Sequence, residues 1–284
     1  MTTTILAPTS GGSASDGAVE LACRLAKRFD AHLEGFHVVP DLRDFIVAAG
    51  FDMPVNADLV DRFIEDGKAI ATRAKAGFEK TVARHGLSVD RSTGRNTPSA
   101  AWRQEAGDAP ANVAERARFF DLVVLGRSDR VIDQPHSDTV EQVLIRSGRP
   151  VLLAPAKAPE SIGEVIAIGW NGSPAAVHAV ALSLPMLQAA RSAVVISVAK
   201  SGEETGDKSL LEYLSWHGVA AAHRSIWPVP GANPGGQILS AARDEAADLL
   251  LMGGYGHAPW REFLFGGATR EIVGNSLLPV LLSH

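Results

Sequence analysis

The segment best suited to chemistry lies near the end of the 284-residue chain, where Met252-Gly253-Gly254-Tyr255-Gly256-His257 leads on to Phe265-Gly266-Gly267-Ala268-Thr269. Its glycines are spaced Gly253-x2-Gly256-x9-Gly266. Glycine lets backbone approach an anion closely and adopt positive φ. A helix starting near Gly267 would add free N–H groups and the positive end of its dipole, so the combination suits a phosphate. His257 directly follows Gly256 and is placed to face such a group. The alternative is a set of glycines that only makes a tight strand-to-helix connection.

In the first half the equivalent stretch runs from Gly126 to Thr139, and only Gly126 survives. Asp129 stands at the second glycine position, and Ser137 and Asp138 stand opposite Gly266 and Gly267. A carboxylate at the mouth of a phosphate site repels the ligand, so this half is expected not to hold a nucleotide triphosphate. Ser10-Gly11-Gly12-Ser13 resembles the Ser-Gly-Gly-x-Asp-Ser loop of ATP pyrophosphatases, but Ala14 occupies the place of the required Asp. The alternative is a turn that caps the first helix.

No other set of residues forms a reactive group. The nine histidines are scattered, with no His-x3-His or Cys-x2-Cys unit, so no metal site is expected. No Gly-x-Ser-x-Gly elbow is present, and no catalytic residue is assigned. Trp102, Trp170, Trp216, Trp227 and Trp260 read as packing residues, with Trp260 alternatively part of a lid over the glycine loop. Cys23, the only cysteine, sits in a helical pattern and reads as a small buried hydrophobe.

The elements that must position these residues repeat. Asp121-Leu122-Val123-Val124-Leu125-Gly126 recurs as Asp248-Leu249-Leu250-Leu251-Met252-Gly253, an offset of 127, and Pro150-Val151-Leu152-Leu153 recurs as Pro279-Val280-Leu281-Leu282, an offset of 129. The pairs Gly12-Ser13 and Gly172-Ser173 suggest an offset of 160 near the start of each half. The first half therefore carries about 33 extra residues, placed within 40–88, where Leu59, Phe63, Ile64, Ile70, Phe78 and Val82 recur at helical spacing. Apolar runs at 164–170, 192–199, 248–253 and 279–283 read as parallel strands buried on both faces. Helical patterns cover 14–29, 174–190, 234–246 and 268–276, and Ser173-Pro174 is a capping hydroxyl with proline at the first helical position. The reading is α/β: two doubly wound domains, 1–158 and 159–284, each a parallel sheet flanked by helices.

Composition bounds the function. With 27 basic against 32 acidic side chains and a net charge of −5, a general nucleic-acid binder is not expected. Residues 1–158 hold 20 basic and 21 acidic groups, and the remainder 7 and 11, so an anion bound in the second half would depend on backbone donors. No apolar run approaches the ~20 residues that span a bilayer, so no membrane partner is expected. With one cysteine and no signal-like N-terminus, a cytoplasmic location is expected.

The Gly253-x2-Gly256-x9-Gly266 spacing, the Ala247–Gly253 strand before it, the Asn171-Gly172-Ser173-Pro174 turn and the closing Pro-Val-Leu-Leu strand of each half resemble the universal stress protein family, in its tandem two-domain form. The resemblance implies a five-stranded, Rossmann-like sheet in each domain, of the adenine nucleotide alpha hydrolase-like type, and a stress-response role without catalysis beyond weak ATP hydrolysis. It implies ATP with Mg²⁺ in the second domain only, bound by Asn171, Ser173, Gly253, Gly256, His257, Gly266, Gly267, Ala268 and Thr269. Asn171 stands where ATP-binding members usually carry Asp, and Gly267 where they carry Ser or Thr, while Thr269 matches a second hydroxyl position. The resemblance also implies action through protein partners, pairing of residues 150–154 with 279–283 inside the chain, and a homodimer of chains. A nucleotide-free interaction module of the same fold is the rival reading.

Overall fold

The computed structural model describes residues 2–42, 57–89, 97–127, 137–199, 208–254, 271, 272, 274 and 276–284. They fall into two compact units, Met1–Ala158 and Pro159–His284. Among the described residues no helix is long and apolar enough to cross a membrane.

Unit 1 contains β1 (Thr4–Pro8), α1 (Ser13–Phe29), β2 (His32–Val39), α2 (Ala57–His85), β3 (Ser88–Val89), β4 (Ser99–Ala106), α3 (Ala109–Ala117), β5 (Leu122–Gly126), α4 (Ser137–Ser147) and β6 (Val151–Ala154). Its strands run in the order β3-β4-β2-β1-β5-β6, and the registered pairs are parallel. The two-residue β3 is a sixth strand beyond the five expected; it follows the long α2 and pairs with Ser99 and Ala100. Leu122 to Leu125 and Val151 to Ala154 are buried, as runs covered on both faces must be.

Alternate residues of β2 show what lies on each face. Gly35 faces α2, and a Cβ there would lie 2.6 Å from the Phe78 ring. Glu34 faces α3 and accepts two 2.7 Å hydrogen bonds from Arg116, which pairs both carboxylate oxygens of a residue only 7% exposed. The α2 helix lies within the 40–88 segment where the extra residues are expected. It buries Ala71, Ala74, Phe78, Thr81 and Val82, whereas Ile64, expected on that face, is 40% exposed.

Unit 2 contains β7 (Val165–Gly169), α5 (Pro174–Leu182), α6 (Leu184–Ala189), β8 (Ser192–Val198), α7 (Lys208–Trp216), β9 (Ala221–Ile226), α8 (Pro234–Asp244), β10 (Leu249–Gly253) and β11 (Val280–Ser283). The order β11-β10-β7-β8-β9 is again parallel in every registered pair. The single helix expected over 174–190 is two, because Ser183 leaves helical geometry at φ −100°, ψ 4° and Pro185 has no N–H to continue the ladder. The helix expected over 268–276 lies mostly outside the described residues.

The repeated Asp is a clamp at the N-terminal ends of the strands. Asp121 Oδ2 accepts from the backbone N–H groups and hydroxyls of Thr3 and Thr4 at 2.8–3.1 Å. Asp248 accepts from Glu164 N and Val165 N, both at 3.1 Å. The structure also shifts one pairing between the halves. Gly11 (φ 74°) matches Gly172 (φ 70°), and the helix-capping positions are Gly12 and Ser173, so the offset is 161 rather than the 160 expected from the two Gly-Ser pairs.

Candidate functional site

In unit 2 the chain runs from β7 outward through β8 and β9, then returns to the other side of β7 for β10 and β11. The order therefore reverses between β7 and β10, and the carboxyl ends of those two strands form the crevice where open α/β sheets hold ligands. Asn171 lies just beyond β7 and Gly253 is the last residue of β10, so both stand at this crevice. Ser173 caps the adjoining helix α5. Gly256, His257, Gly266, Gly267, Ala268 and Thr269 lie outside the described residues, as do Trp260 and Asp129.

Each placed residue has a local task. Asn171 Oδ1 accepts from Ser173 N at 3.1 Å, and Ser173 Oγ accepts from Ala176 N at 3.2 Å. Pro174 has no N–H, so the first turn of α5 spends most of its donors on its own caps. A Cβ on Gly253 would lie 2.5 Å from Ala176 N and 2.6 Å from the Ala175 carbonyl carbon, so this glycine is required by the approach of α5 to the strand end. Gly126 meets Ala14 in the same way in unit 1, whose sequence lacks the Gly-x2-Gly-x9-Gly spacing.

The corresponding loop of unit 1 is turned on itself. Ser15 Oγ accepts from Ser10 N at 2.8 Å and lies 2.9 Å from Ser10 Oγ. Ile70 of α2 leans on Gly11, where a Cβ would lie 3.0 Å from the Ile70 carbonyl oxygen. At the equivalent Gly172 nothing lies within 4 Å among the described residues.

Described histidines such as His32, His37 and His223 serve separate local bonds, and no group of three or more metal-ligating side chains occurs among the described residues. His32 Nδ1 lies 2.9 Å from Ser99 Oγ. His37, 3% exposed, donates from Nδ1 to the Thr9 carbonyl at 2.7 Å, and its Nε2 has no partner among the described residues. His223 Nε2 lies 3.0 Å from Ser197 Oγ, a pairing across β8 and β9 that sequence spacing gave no means of finding. Two of the tryptophans read as packing residues are not: Trp216, the last residue of α7, is 78% exposed, and Trp227, just past β9, is 67% exposed. Cys23 is fully buried, and burial first, then the nearby Glu20 carboxylate, pushes its thiol up to about 12.

A doubly wound sheet with a crevice at its switch point defines a class of ligand-binding α/β proteins, and comparison with known proteins narrows it. The family model described as Universal stress protein family matches residues 1–155, and the chain belongs to that family. The fold is similar to that of a universal stress protein from Archaeoglobus fulgidus DSM 4304, with 15% sequence identity over 99% of this chain and 97% of that one and a TM-score of 0.74. It is also similar to a putative universal stress protein from Pseudomonas aeruginosa UCBPP-PA14, with 14% identity over 99% and 93% of the two chains and a TM-score of 0.56. No curated protein sequence matches the chain.

Proposed function

We propose that this universal stress protein binds an adenine nucleotide, ATP with Mg²⁺, in the crevice of unit 2 and acts through protein partners rather than by catalysis. One observation carries the reading. The Gly253-x2-Gly256-x9-Gly266 segment begins at the end of β10, the strand that borders the switch point, facing Asn171 at the end of β7. In this reading Gly256, His257, Gly266, Gly267, Ala268 and Thr269 surround the phosphates and ribose, and Asn171 and Ser173 border the sugar side. Unit 1 is the nucleotide-free copy, because Asp129 replaces the second glycine and Gly11 is shouldered by α2. The same two facts weigh against a pyrophosphatase using Ser10 to Ser13, whose Ser10 hydroxyl is already bonded to Ser15. A cytoplasmic location, edge pairing of 150–154 with 279–283 and a homodimer of chains belong to the same proposal.

Calorimetric titration of the full chain with ATP and Mg²⁺ tests it. Binding that Gly256→Asp abolishes is the expected result, since that change copies Asp129 of unit 1 into unit 2. No heat and no thermal shift at millimolar ATP would favour the nucleotide-free interaction module.

A further inference from the structure

Three neighbouring strands of unit 2 end in a row of residues, two of which the proposal above does not use. The register pairs Gly169 with Met252 on β10 and with Ile196 on β8. One residue further along each strand, Gly253, Trp170 and Ser197 share the opposite face, the one on which Gly253 meets the first turn of α5. Trp170 N donates to Ile196 O at 2.9 Å, which keeps the row in register past the end of β7. Trp170 is half-buried, and Ser197, 9% exposed, shares its hydrogen bond with His223.

Unit 1 fills the equivalent places differently. Thr9 N donates to Phe36 O at 2.8 Å, as Trp170 does to Ile196, so Thr9 answers to Trp170 and His37 to Ser197. His37 stacks on Trp102 at 6.3 Å, and Phe78 of α2 packs against the same indole at 5.4 Å. The α2 and α7 helices end alike, on Gly86 (φ 67°) and Gly218 (φ 73°), which aligns Phe78 with Leu210. The positions that answer to Ile70 and Ala74, which α2 carries over Gly11, precede Lys208 and lie outside the described residues of unit 2. An aromatic, helix-covered end in unit 1 thus becomes, among the described residues of unit 2, an indole beside a hydroxyl–imidazole pair.

We infer that Trp170 and the Ser197–His223 pair receive the heteroaromatic ring of the ligand of unit 2, the indole as its stacking surface and the pair as its hydrogen-bonding edge. The inference rests on the nucleotide reading and names the side chains that recognise the base. An aromatic face offers a sequence-tolerant platform for a planar base. The pair supplies direction. When Ser197 donates to Nε2, its lone pairs face the ligand; when Nε2–H donates to Ser197, the hydroxyl proton does. A purine edge, which carries donors beside acceptors, satisfies either arrangement, whereas a bare phosphate needs neither the indole nor an acceptor.

Calorimetry of the full chain with Mg²⁺-ATP and, separately, with inorganic tripolyphosphate reads this out. Ser197→Ala and Trp170→Leu are each expected to weaken ATP about tenfold, as loss of one buried hydrogen bond or stacking contact does. Ser197→Thr, which keeps the hydroxyl, is expected to retain affinity. Tripolyphosphate, which has no ring, should behave identically with wild type and every variant. Unchanged ATP affinity in folded Ser197→Ala and Trp170→Leu proteins, or equal losses for both ligands, overturns the inference and leaves the nucleotide reading standing. If the wild-type chain binds no ATP, both fall together.

Discussion

Gly253 and Ala176 stand so close that a Cβ on the glycine would lie 2.5 Å from the alanine nitrogen. The contact fastens the end of β10 to the first turn of α5, and it makes this glycine a structural requirement whether or not a phosphate is bound. Gly253→Ala is therefore expected to destabilise unit 2 by about 2–3 kcal/mol through forced displacement of the helix. Gly126→Ala should do the same in unit 1, where no nucleotide is expected. Urea unfolding of both variants is the check, and a harmless Gly126→Ala would show that the helix approach is soft.

The Asp121 clamp predicts a second effect. Removing the carboxylate leaves the Thr3 and Thr4 donors unmatched, and Asp121→Ala is expected to lower the unfolding free energy by about 1–3 kcal/mol. Asp248→Ala, which loses only two backbone bonds, should cost less. Denaturation midpoints of the two variants, compared with wild type, give the ordering.

Acid should act through two carboxylates. Burial raises the pKa of Glu20, but hydrogen bonds from His85 and Arg24 and the charges of His85 and Arg84 outweigh it and hold the group below its ordinary 4.5. Asp121 is likewise raised by burial, then held below its ordinary 3.8 by its bonds to Thr3 and Thr4. A group with a depressed folded-state pKa contributes stability that is full above its unfolded value and lost as pH falls through its folded one. Stability is thus expected to drop on acidification below about pH 4.5, with Glu20→Gln flattening that limb. Chemical denaturation from pH 7 to pH 3 measures it.

Gly35 and Phe78 make a coupled pair. Phe78→Ala should cost about 3–5 kcal/mol by opening a cavity beneath α2, and Gly35→Ala should cost less by crowding the ring. Combined, the new methyl would occupy part of the emptied space, so the double variant should lose less than the two single losses added. A double-mutant cycle by urea unfolding decides this.

Strands such as β5, β6, β8 and β10 were legible because each is a short apolar run buried on both faces, and the copies of Asp121 and Gly126 stand out at a fixed spacing; β3, β4 and β9, polar and partly exposed, carry a weaker signal. Helix ends were readable where chemistry marks them, as at Ser173-Pro174. The break at Ser183 was not, since alternating apolar residues continue through Pro185 and only the backbone shows the interruption. At the site, sequence placed Asn171 and Ser173 after one strand and Gly253 at the end of another. It could not show that the first two bond to their own loop, or that Gly253 answers to a helix. Pairings such as Ser197 with His223 depend on which strands are neighbours and in what register, and that is set by tertiary structure rather than by any local pattern.

Cys23 has a consequence for how a protein of this family can receive a signal. A thiol with no exposed surface and a pKa near 12 supplies almost no thiolate, the form that oxidants and electrophiles attack. Redox chemistry therefore finds no entry at the chain's single cysteine, and the folded protein should keep its thiol reduced through oxidative conditions that modify exposed cysteines elsewhere. A direct oxidative response of this molecule would have to begin elsewhere than at Cys23, for example at one of its four methionines.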